Sequence, residues 1–292
     1  MAAGRVLVTG AGGFTGPYLL SALEERGYRV LGLSDSPDLA DADAIERRLE
    51  KESFDYVVHL AAVAILAHER AADYYRVNLV GTLNLLEALA RRGKLKKVIL
   101  ASSANIYGRP ARTPVEESAT PAPLNHYGVS KLAMELMARL WFERLPILIV
   151  RPFNYSGLGQ STKFVLPKLV AAFRSRTGQL ELGDTAVVRE FMDVRDVAQV
   201  YARLLDSAAA GEVVNLCSGR GVQLDEVLER LTALTGGAPA IRRSEALVRD
   251  DEIPALVGCP ARLKALAGET AFRPLDETLR WMLAWPATQV RR

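Results

Sequence analysis

The sequence predicts an α/β fold, in which a doubly wound parallel sheet is followed by a smaller C-terminal α/β domain. In the first half, short apolar runs alternate with amphipathic stretches of helical length, the pattern of parallel strands covered by helices. A glycine-rich turn joins the first apolar run to the first amphipathic stretch. The chain has 292 residues, of which 49% are hydrophobic and 24% are charged, so it can bury the core of one large or two modest domains.

The first half contains the elements of the predicted sheet. Runs of Val, Leu and Ile predict strands buried on both faces, and in chain order these are residues 5–9, 29–33, 54–60, 97–101 and 147–150. Amphipathic stretches between them predict helices at residues 14–26, 42–51, 74–91 and 127–144. The helix at 74–91 carries apolar residues at helical intervals, which indicates one buried face.

After Pro152 the character of the chain changes. Turn-forming residues cluster, and shorter helices, predicted at residues 224–234 and 275–283, alternate with short strands. We therefore expect residues 1–155 to form the sheet domain and residues 156–292 to form a smaller domain that caps the substrate. Some segments of the second domain are expected to return to the main sheet.

The turn after the first strand has the spacing Gly10-x-x-Gly13-x-x-Gly16, with Phe14 inside it. Glycine permits a tight turn and a close approach of the backbone to a pyrophosphate, while the start of the helix offers unpaired N–H donors. Because a strand precedes this turn and a helix follows it, the motif predicts dinucleotide binding by a Rossmann-like domain.

The end of the second strand bears on the choice of dinucleotide. Ser34 and Asp35 lie there, and a carboxylate at this place binds the adenosine ribose hydroxyls and repels a 2′-phosphate. No arginine or lysine occurs between Val30 and Asp43. The sequence therefore favours NAD(H), with NADP(H) as the alternative. Nearby, Asp38-Leu39 could contact the adenine, although a solvated loop carboxylate is an equally simple interpretation.

Tyr127 and Lys131 lie four residues apart on a predicted helix, which puts them on one face, a turn from each other. Lowering a tyrosine pKa from about 10 to about 7 requires about 4 kcal/mol of support for the phenolate, and one cation at about 4 Å in a partly screened site supplies that much. Ser102 and Ser103 follow a predicted strand upstream. These residues predict acid–base chemistry on a hydroxyl or a carbonyl.

Together these motifs identify a resemblance. Over essentially its whole length, the chain resembles extended short-chain dehydrogenases/reductases of the NAD-dependent nucleotide-sugar epimerase/dehydratase family. The matching segments are the glycine turn, His59-Leu-Ala-Ala62, Val77-Asn-Leu-Val-Gly-Thr82, Ser102-Ser-Ala-Asn-Ile-Tyr-Gly108, Tyr127…Lys131 and Arg151-Pro-Phe-Asn154.

The resemblance implies a role for each of these positions. Tyr127 would be the acid/base, Ser103 would hydrogen-bond the sugar oxygen, and Lys131 would hold the nicotinamide ribose and lower the pKa of Tyr127. Tyr127 is expected to contact the cofactor as well, and the remaining expected cofactor contacts are Leu60, Ala61, Ala62, Asn78 and Ser102. The expected substrate contacts are Ser103, Asn154, Arg189, Arg249 and Glu252.

Several of these residues also have a purely structural interpretation. Asn78 could bridge a loop, and Ser102 could be an ordinary serine at a strand end. Arg249 could form a surface ion pair with residues 250–252. His59, at the end of a buried strand, is interpreted as a packed structural histidine.

The residues after Ser103 bear on the reaction. The 4,6-dehydratases of the group resemble one another in having an acidic residue there, whereas this chain has Ala104-Asn105, so dehydration is not expected. The C-terminal half resembles GDP-4-keto-6-deoxy-D-mannose reductases, apart from Tyr155 and Leu158, where that family reads His and Pro. The resemblance implies hydride transfer from NAD(P)H to C4 of a nucleotide-linked 4-keto-6-deoxy sugar.

Two alternatives stay open at this point. One is a 4-epimerase similar to UDP-glucose 4-epimerase, with tightly bound NAD. The other is a non-catalytic dinucleotide-binding protein, against which the presence of both Tyr127 and Lys131 argues.

Composition sets the expected partners and location. A dispersed net charge of +3 does not suggest nucleic-acid binding, and no segment reaches the roughly 20 apolar residues of a membrane span. Two cysteines and three histidines lack metal-ligand spacing. A strand after four residues leaves no room for a signal peptide, so we expect a cytoplasmic protein. By likeness, the helices at 74–91 and 127–144 are expected to form a homodimer contact.

Overall fold

The structure is a computed structural model, and it describes residues 4–33, 38–65, 70–175, 179–244, 247 and 252–284. Its strands are β1 (Arg5–Thr9), β2 (Arg29–Leu33), β3 (Tyr56–His59), β4 (Lys97–Ala101), β5 (Ile147–Pro152), β6 (Tyr155–Ser156), β7 (Gln179–Leu182), β8 (Val188–Arg189), β9 (Met192–Asp193), β10 (Glu212–Leu216), β11 (Val222–Gln223), β12 (Ala240–Arg243) and β13 (Ala255–Leu256).

The helices cover the strands of this chain. They are α1 (Gly16–Glu25), α2 (Ala42–Glu50), α3 (Ala71–Tyr75), α4 (Gly81–Arg92), α5 (His126–Arg139), α6 (Val165–Ser175), α7 (Val194–Asp206), α8 (Leu224–Thr235), α9 (Ala261–Ala267) and α10 (Leu275–Ala284). A π-helical segment, Arg76–Val80, joins α3 to α4, and a short 3₁₀ turn, Ala104–Tyr107, follows β4. No described helix combines the length and apolar character needed to cross a membrane.

Within the described residues, the main sheet has six parallel strands in the order β10-β5-β4-β3-β1-β2. The strand order reverses at β1, which pairs with both β2 and β3. In open α/β sheets, ligands bind outside the carboxyl ends of the strands at such a reversal. The sheet confirms the predicted fold class and directs the ends of β1, β3 and β4 toward one edge.

The core lies on both faces of the sheet. Alternate strand residues point to opposite faces, so Val6 and Val8 pack in a cluster with α1 and α7, whereas Leu7 packs in a second cluster with α2, α4 and α5. A third apolar cluster joins α6, α8, α10 and β7. Although β10 and α7 belong to the second half of the sequence, they add to the main sheet. The domain boundary near residue 155 stays a prediction.

The observed bounds differ from the predicted ones mainly at helix ends. The helix predicted at residues 74–91 begins earlier, with α3 at Ala71 and α4 ending at Arg92. The helix predicted at 127–144 ends at Arg139, because the N–H groups of Leu140 and Trp141 bond to carbonyls three residues back. Such tighter bonds are typical of a last helical turn.

Candidate active site

The glycine turn lies between β1 and α1. Gly10 has a φ of +72°, and a Cβ there would lie 2.7 Å from the Ala61 nitrogen. A Cβ on Gly16 would collide with the Ala11 carbonyl. Gly13 is exposed, and its N–H donates to the Gly10 carbonyl at 3.0 Å. This compact turn at a helix start fits the pyrophosphate of a dinucleotide, which needs close backbone approach and free N–H donors.

Ser34 and Asp35, the predicted ribose contacts, lie outside the described residues. Asp38 is exposed and forms an ion pair with Arg76. A hydrogen bond from the Ala40 N–H and this ion pair hold the pKa of Asp38 below its ordinary value. Leu39 is buried and packs against α4. The adenine contact expected of Asp38 and Leu39 stays a prediction.

The structure brings Ser103, Tyr127 and Lys131 together at the carboxyl end of β4. Asn125 begins α5 by accepting a hydrogen bond from the Gly128 N–H at 2.9 Å, which sets Tyr127 in the first turn. Ser103 is buried and hydrogen-bonds the Tyr127 phenol. Lys131 is buried one turn further along, and its Nζ donates to the Ala101 carbonyl at 2.7 Å.

The electrostatics of the pair differ from our expectation. Burial raises the pKa of Tyr127 to about 12, and the hydrogen bond from Ser103 acts in the lowering direction. Burial also lowers the pKa of Lys131 to about 8, while Glu135 acts to raise it. The predicted lowering of the Tyr127 pKa is therefore wrong for this structure, because burial of the phenol outweighs the support for its phenolate.

Ser102 is buried at the carboxyl end of β4. Its hydroxyl donates to Glu135 Oε1 at 2.5 Å. Glu135 in turn forms a buried bidentate ion pair with Arg151, and Arg151 donates to the Tyr107 hydroxyl at 2.8 Å. The Ser102 side chain therefore belongs to a buried network joining β4, α5 and β5, and the cofactor contact of Ser102 stays a prediction.

Asn78 bridges a loop to α5. Its Oδ1 accepts from the Val63 N–H at 2.9 Å, and its Nδ2 donates to the Val63 carbonyl and the Ser130 hydroxyl. Both amide hydrogens are thereby engaged. Asn78 thus has the bridging role that the structural interpretation gave it, and its cofactor contact stays a prediction.

The segment after β3 completes the edge of the site. The Leu60 N–H donates to the Thr9 carbonyl at 3.2 Å, and Ala61 packs against Gly10. Leu60, Ala61 and Ala62 are partly buried beside the glycine turn, where their cofactor contacts stay a prediction.

His59 has a structural role, as the sequence suggested. Its Nδ1 lies 2.6 Å from the Thr9 hydroxyl, and its Nε2 lies 3.0 Å from the Thr82 hydroxyl. Because Thr82 donates its hydrogen to the Asn78 carbonyl, Nε2 carries the ring hydrogen and Nδ1 accepts from Thr9. Burial, with a smaller effect of Lys131, lowers the pKa of His59 to about 3.

The predicted substrate residues are only partly brought together. Arg189 forms a partly buried ion pair with Glu252 at 2.7 Å, and Arg109 donates to the Glu252 carbonyl. Asn154 is exposed, and its carbonyl accepts from the Met192 N–H. Arg249 lies outside the described residues.

Sequence reasoning missed the position of Tyr155. Its ring stacks on Phe14 with centroids 5.9 Å apart, and its hydroxyl bonds the Thr15 hydroxyl at 2.8 Å. The Tyr74 ring, 6.2 Å from that of Tyr127, was also missed. The departure from the family pattern at residue 155 was a signal, but it did not indicate that this ring contacts the glycine turn.

Comparisons with known proteins identify the family of this chain. Residues 6–217 match the model of the NAD dependent epimerase/dehydratase family. The GDP-6-deoxy-D-talose 4-dehydrogenase of Aggregatibacter actinomycetemcomitans is 35% identical over 268 residues, which cover 90% of this chain and 91% of that protein. The GDP-6-deoxy-D-mannose reductase of Pseudomonas aeruginosa is 34% identical, and the match covers 98% of each chain.

Among solved structures, that of RMD from Pseudomonas aeruginosa complexed with NADPH superposes with a TM-score of 0.87, at 34% identity over 96% of each chain. The family match spans more than half of the sequence, and the two relatives match nearly the whole of it. The chain therefore belongs to the NAD dependent epimerase/dehydratase family, whose members are NAD(P)-dependent enzymes that act on nucleotide sugars.

Proposed function

We propose that this protein reduces C4 of a nucleotide-linked 4-keto-6-deoxy sugar with NAD(P)H. The observation that carries the proposal is the hydrogen-bonded pair of Ser103 and Tyr127 at the carboxyl end of β4, followed by Ala104-Asn105 instead of an acidic residue. The names of the two relatives, a GDP-sugar dehydrogenase and a GDP-sugar reductase, support the same chemistry.

The chain's own residues supply the binding and the proton. The glycine turn would hold the pyrophosphate, and Lys131 would hold the nicotinamide ribose, as the resemblance implies. When bound, the reduced nicotinamide supplies the hydride that the carbonyl carbon receives. Tyr127 gives its phenolic proton to the carbonyl oxygen, and Ser103 donates a hydrogen bond to that oxygen as negative charge develops on it. The C4 carbonyl of the sugar thus gains a hydride on its carbon and a proton on its oxygen, and becomes an alcohol.

The pKa of Tyr127 suits this direction of reaction. Since burial raises it to about 12, the phenol carries its proton at neutral pH. Reduction requires a protonated acid, whereas oxidation of an alcohol requires a base. The protonated phenol is thus ready to act as the acid in the reducing direction.

The substrate's nucleotide would lie near the Arg189–Glu252 ion pair. A guanidinium presents a planar fork of donors that suits a diphosphate, and a carboxylate suits ribose hydroxyls. We assign these roles to Arg189 and Glu252, with Arg249 as a further phosphate contact and Asn154 as a polar contact at the sugar. For the cofactor we propose a preference for NAD(H), on the position of Asp35 after β2.

A spectrophotometric assay tests the function. Reduction predicts loss of nicotinamide absorbance in proportion to added GDP-linked 4-keto-6-deoxy sugar, and Tyr127→Phe should abolish that loss. Retained NAD without net consumption, together with interconversion of UDP-hexoses, would instead identify an epimerase. Dinucleotide binding that Tyr127→Phe leaves unchanged, with no turnover of either substrate class, would identify a non-catalytic protein. Parallel titrations with NADH and NADPH test the cofactor preference.

We also propose that the protein is a homodimer. Three exposed apolar residues lie along α5 and at its C-terminal end, namely Val129, Leu136 and the cap residue Leu140. Their spacing of seven and four residues places them along a single stripe. Val80, directly before α4, is exposed as well. An exposed apolar stripe of this kind favours a partner surface. Leu136→Glu should convert a dimer into a monomer in sedimentation velocity, and a wild-type monomer at all concentrations would refute the proposal.

A cytoplasmic location stays a prediction.

A further inference from the structure

Asn105 contacts the hydroxyl of Ser103 twice. Its backbone N–H donates to Ser103 Oγ at 3.2 Å, and its side-chain Nδ2 donates to the same oxygen at 3.1 Å. Ser103 is the N-cap residue directly before the short 3₁₀ turn, and Asn105 is the second residue within that turn. Both contacts therefore follow from the local path of the chain after β4.

These two bonds determine what Ser103 can do. A serine hydroxyl has one hydrogen to donate and two lone pairs with which to accept. With both lone pairs engaged by Asn105, the hydroxyl hydrogen has to point toward another acceptor. The neighbouring acceptor is the Tyr127 oxygen, and the lowering effect of Ser103 on the Tyr127 pKa agrees with donation in that direction.

Asn105 is itself held against the catalytic helix. A Cβ at Gly128 would lie 2.8 Å from the Asn105 carbonyl oxygen, so the first turn of α5 and the turn after β4 are in close contact. Gly128 directly follows Tyr127. Because the Asn105 backbone packs directly against Gly128, the distance between the turn after β4 and the helical turn that carries Tyr127 is fixed by this contact.

We propose that Asn105 is a positioning residue that makes Ser103 a dedicated hydrogen-bond donor to the reacting oxygen. This inference rests on the proposed function and deepens it. A donor aimed in advance at the oxygen on which charge develops stabilises the transition state without reorganisation. A neutral amide is required, because an ionised carboxylate at residue 105 would accept the Ser103 hydrogen and withdraw it from that oxygen.

Steady-state kinetics with the keto-sugar substrate test the inference. Asn105→Ala should lower kcat about 10-fold with KM changed less than about two-fold, and Ser103→Ala should lower kcat about 100-fold. Asn105→Asp should be slower than Asn105→Ala, although it resembles asparagine more closely in shape. Gln199→Ala, which removes an exposed amide that bonds Glu25, is the matched control and should keep the wild-type kcat.

A double-mutant cycle separates positioning from mere structural support. In the Ser103→Ala background, Asn105→Ala should change kcat less than about two-fold, because its effect passes through the missing hydroxyl. If the kcat of the double variant instead falls by the product of the two single losses, the inference is overturned. An Asn105→Asp variant as fast as wild type would also overturn it. Failure of the wild type to reduce the keto sugar would instead overturn the proposed function.

Neutron diffraction from crystals of the deuterated protein gives a readout that needs no turnover. The inference expects a deuterium on Asn105 Nδ2 directed at Ser103 Oγ, and the Ser103 deuterium directed away from Asn105. A Ser103 deuterium directed at the Asn105 amide oxygen would overturn it, whatever reaction the protein catalyses.

Discussion

Burial and hydrogen bonding act on the Tyr127 phenol in opposite directions. Burial dominates and raises the pKa to about 12, while the hydrogen bond from Ser103 acts to lower it. The sequence suggested a nearby ammonium as the main influence, but Lys131 directs its Nζ to the Ala101 carbonyl. At the scale of single residues, the phenol is therefore a proton donor whose pKa is set by burial and by its hydrogen bond with Ser103.

Replacing Tyr127 by phenylalanine removes this proton donor and leaves the ring. We expect Tyr127→Phe to lower kcat at least about 100-fold, the contribution typical of a positioned general acid. The dissociation constant for NADH, measured by fluorescence quenching, should stay within about two-fold, because the glycine turn and Lys131 are expected to keep their contacts with the dinucleotide. A variant that keeps more than about a tenth of the wild-type kcat would contradict the assignment.

Lys131 predicts a dependence of stability on pH. Burial lowers its pKa from the ordinary 10.5 to about 8. Between those two pH values the unfolded chain binds a proton that the folded chain lacks, so stability rises as pH increases through this window. Relative to Lys131→Met, the wild-type free energy of unfolding should rise by about 3 kcal/mol across it.

Urea unfolding at a series of pH values between 7.5 and 10.5 measures this difference. Lys163→Met, which removes an exposed lysine, serves as the control and should show no comparable rise relative to wild type. A wild-type curve parallel to that of Lys131→Met would show that Lys131 titrates alike in the folded and unfolded chains.

The adjacent serines show where prediction from sequence stops at this scale. Both were expected to contact the cofactor or substrate, yet Ser103 faces Tyr127 while Ser102 donates to Glu135. Consecutive residues at the end of an extended strand point to opposite sides, and the sequence does not show which side carries the site. Asn78 was ambiguous for a related reason, since its bonds to Val63 and Ser130 depend on tertiary contacts.

At the scale of elements, the strands were predictable and the helix ends were not. Apolar runs bounded by glycine or charged residues define β1, β2 and β4 at the expected residues. The π-helical segment Arg76–Val80 was not predictable, because helical periodicity alone does not distinguish one wider turn. It carries Asn78, and the wider turn thus lies at the residue that bridges α5 to the loop after β3.

The buried ion pair between Glu135 and Arg151 joins α5 to β5. Both side chains are almost fully buried, and Arg151 donates to the carboxylate through both Nε and Nη2. Removing one partner leaves the other charge buried and unpaired, so Glu135→Ala should lower the free energy of unfolding by about 3–5 kcal/mol. The double variant Glu135→Met/Arg151→Met should recover much of that loss, because no unpaired charge remains.

Chemical denaturation of the three proteins measures this coupling between α5 and β5. A single variant as stable as wild type would show that water reaches the pair and screens it. The kcat of the double variant adds a second readout, because Ser102 loses its acceptor on Glu135. If this network positions the end of β4, kcat falls even where stability is recovered.

At the scale of the whole molecule, the two halves of the sequence meet at the glycine turn. Phe14 stacks on Tyr155, and Tyr18 donates to the Leu158 carbonyl at 2.9 Å. Tyr18 also lies edge-on to Trp281, with centroids 6.1 Å apart. The segment expected to bind the nucleotide sugar is thus in direct contact with the segment expected to bind the dinucleotide. The sequence indicated both segments, but not their contact, because that contact depends on how the chain returns after β5.

This contact predicts that Tyr155 supports dinucleotide binding without touching the substrate's reacting carbon. Tyr155→Leu removes both the stack on Phe14 and the bond to Thr15. We expect the glycine turn to be less ordered in the free variant, so that part of the binding free energy of the dinucleotide is used to order it. An aromatic pair contributes about 0.5–1.5 kcal/mol, and the dissociation constant for NADH should rise about 2- to 12-fold in isothermal titration. Tyr155→Phe keeps the stack and should stay close to wild type. Equal affinities for all three proteins would show that the turn is rigid on its own, and a loss in Tyr155→Phe as large as in Tyr155→Leu would assign the effect to the hydroxyl.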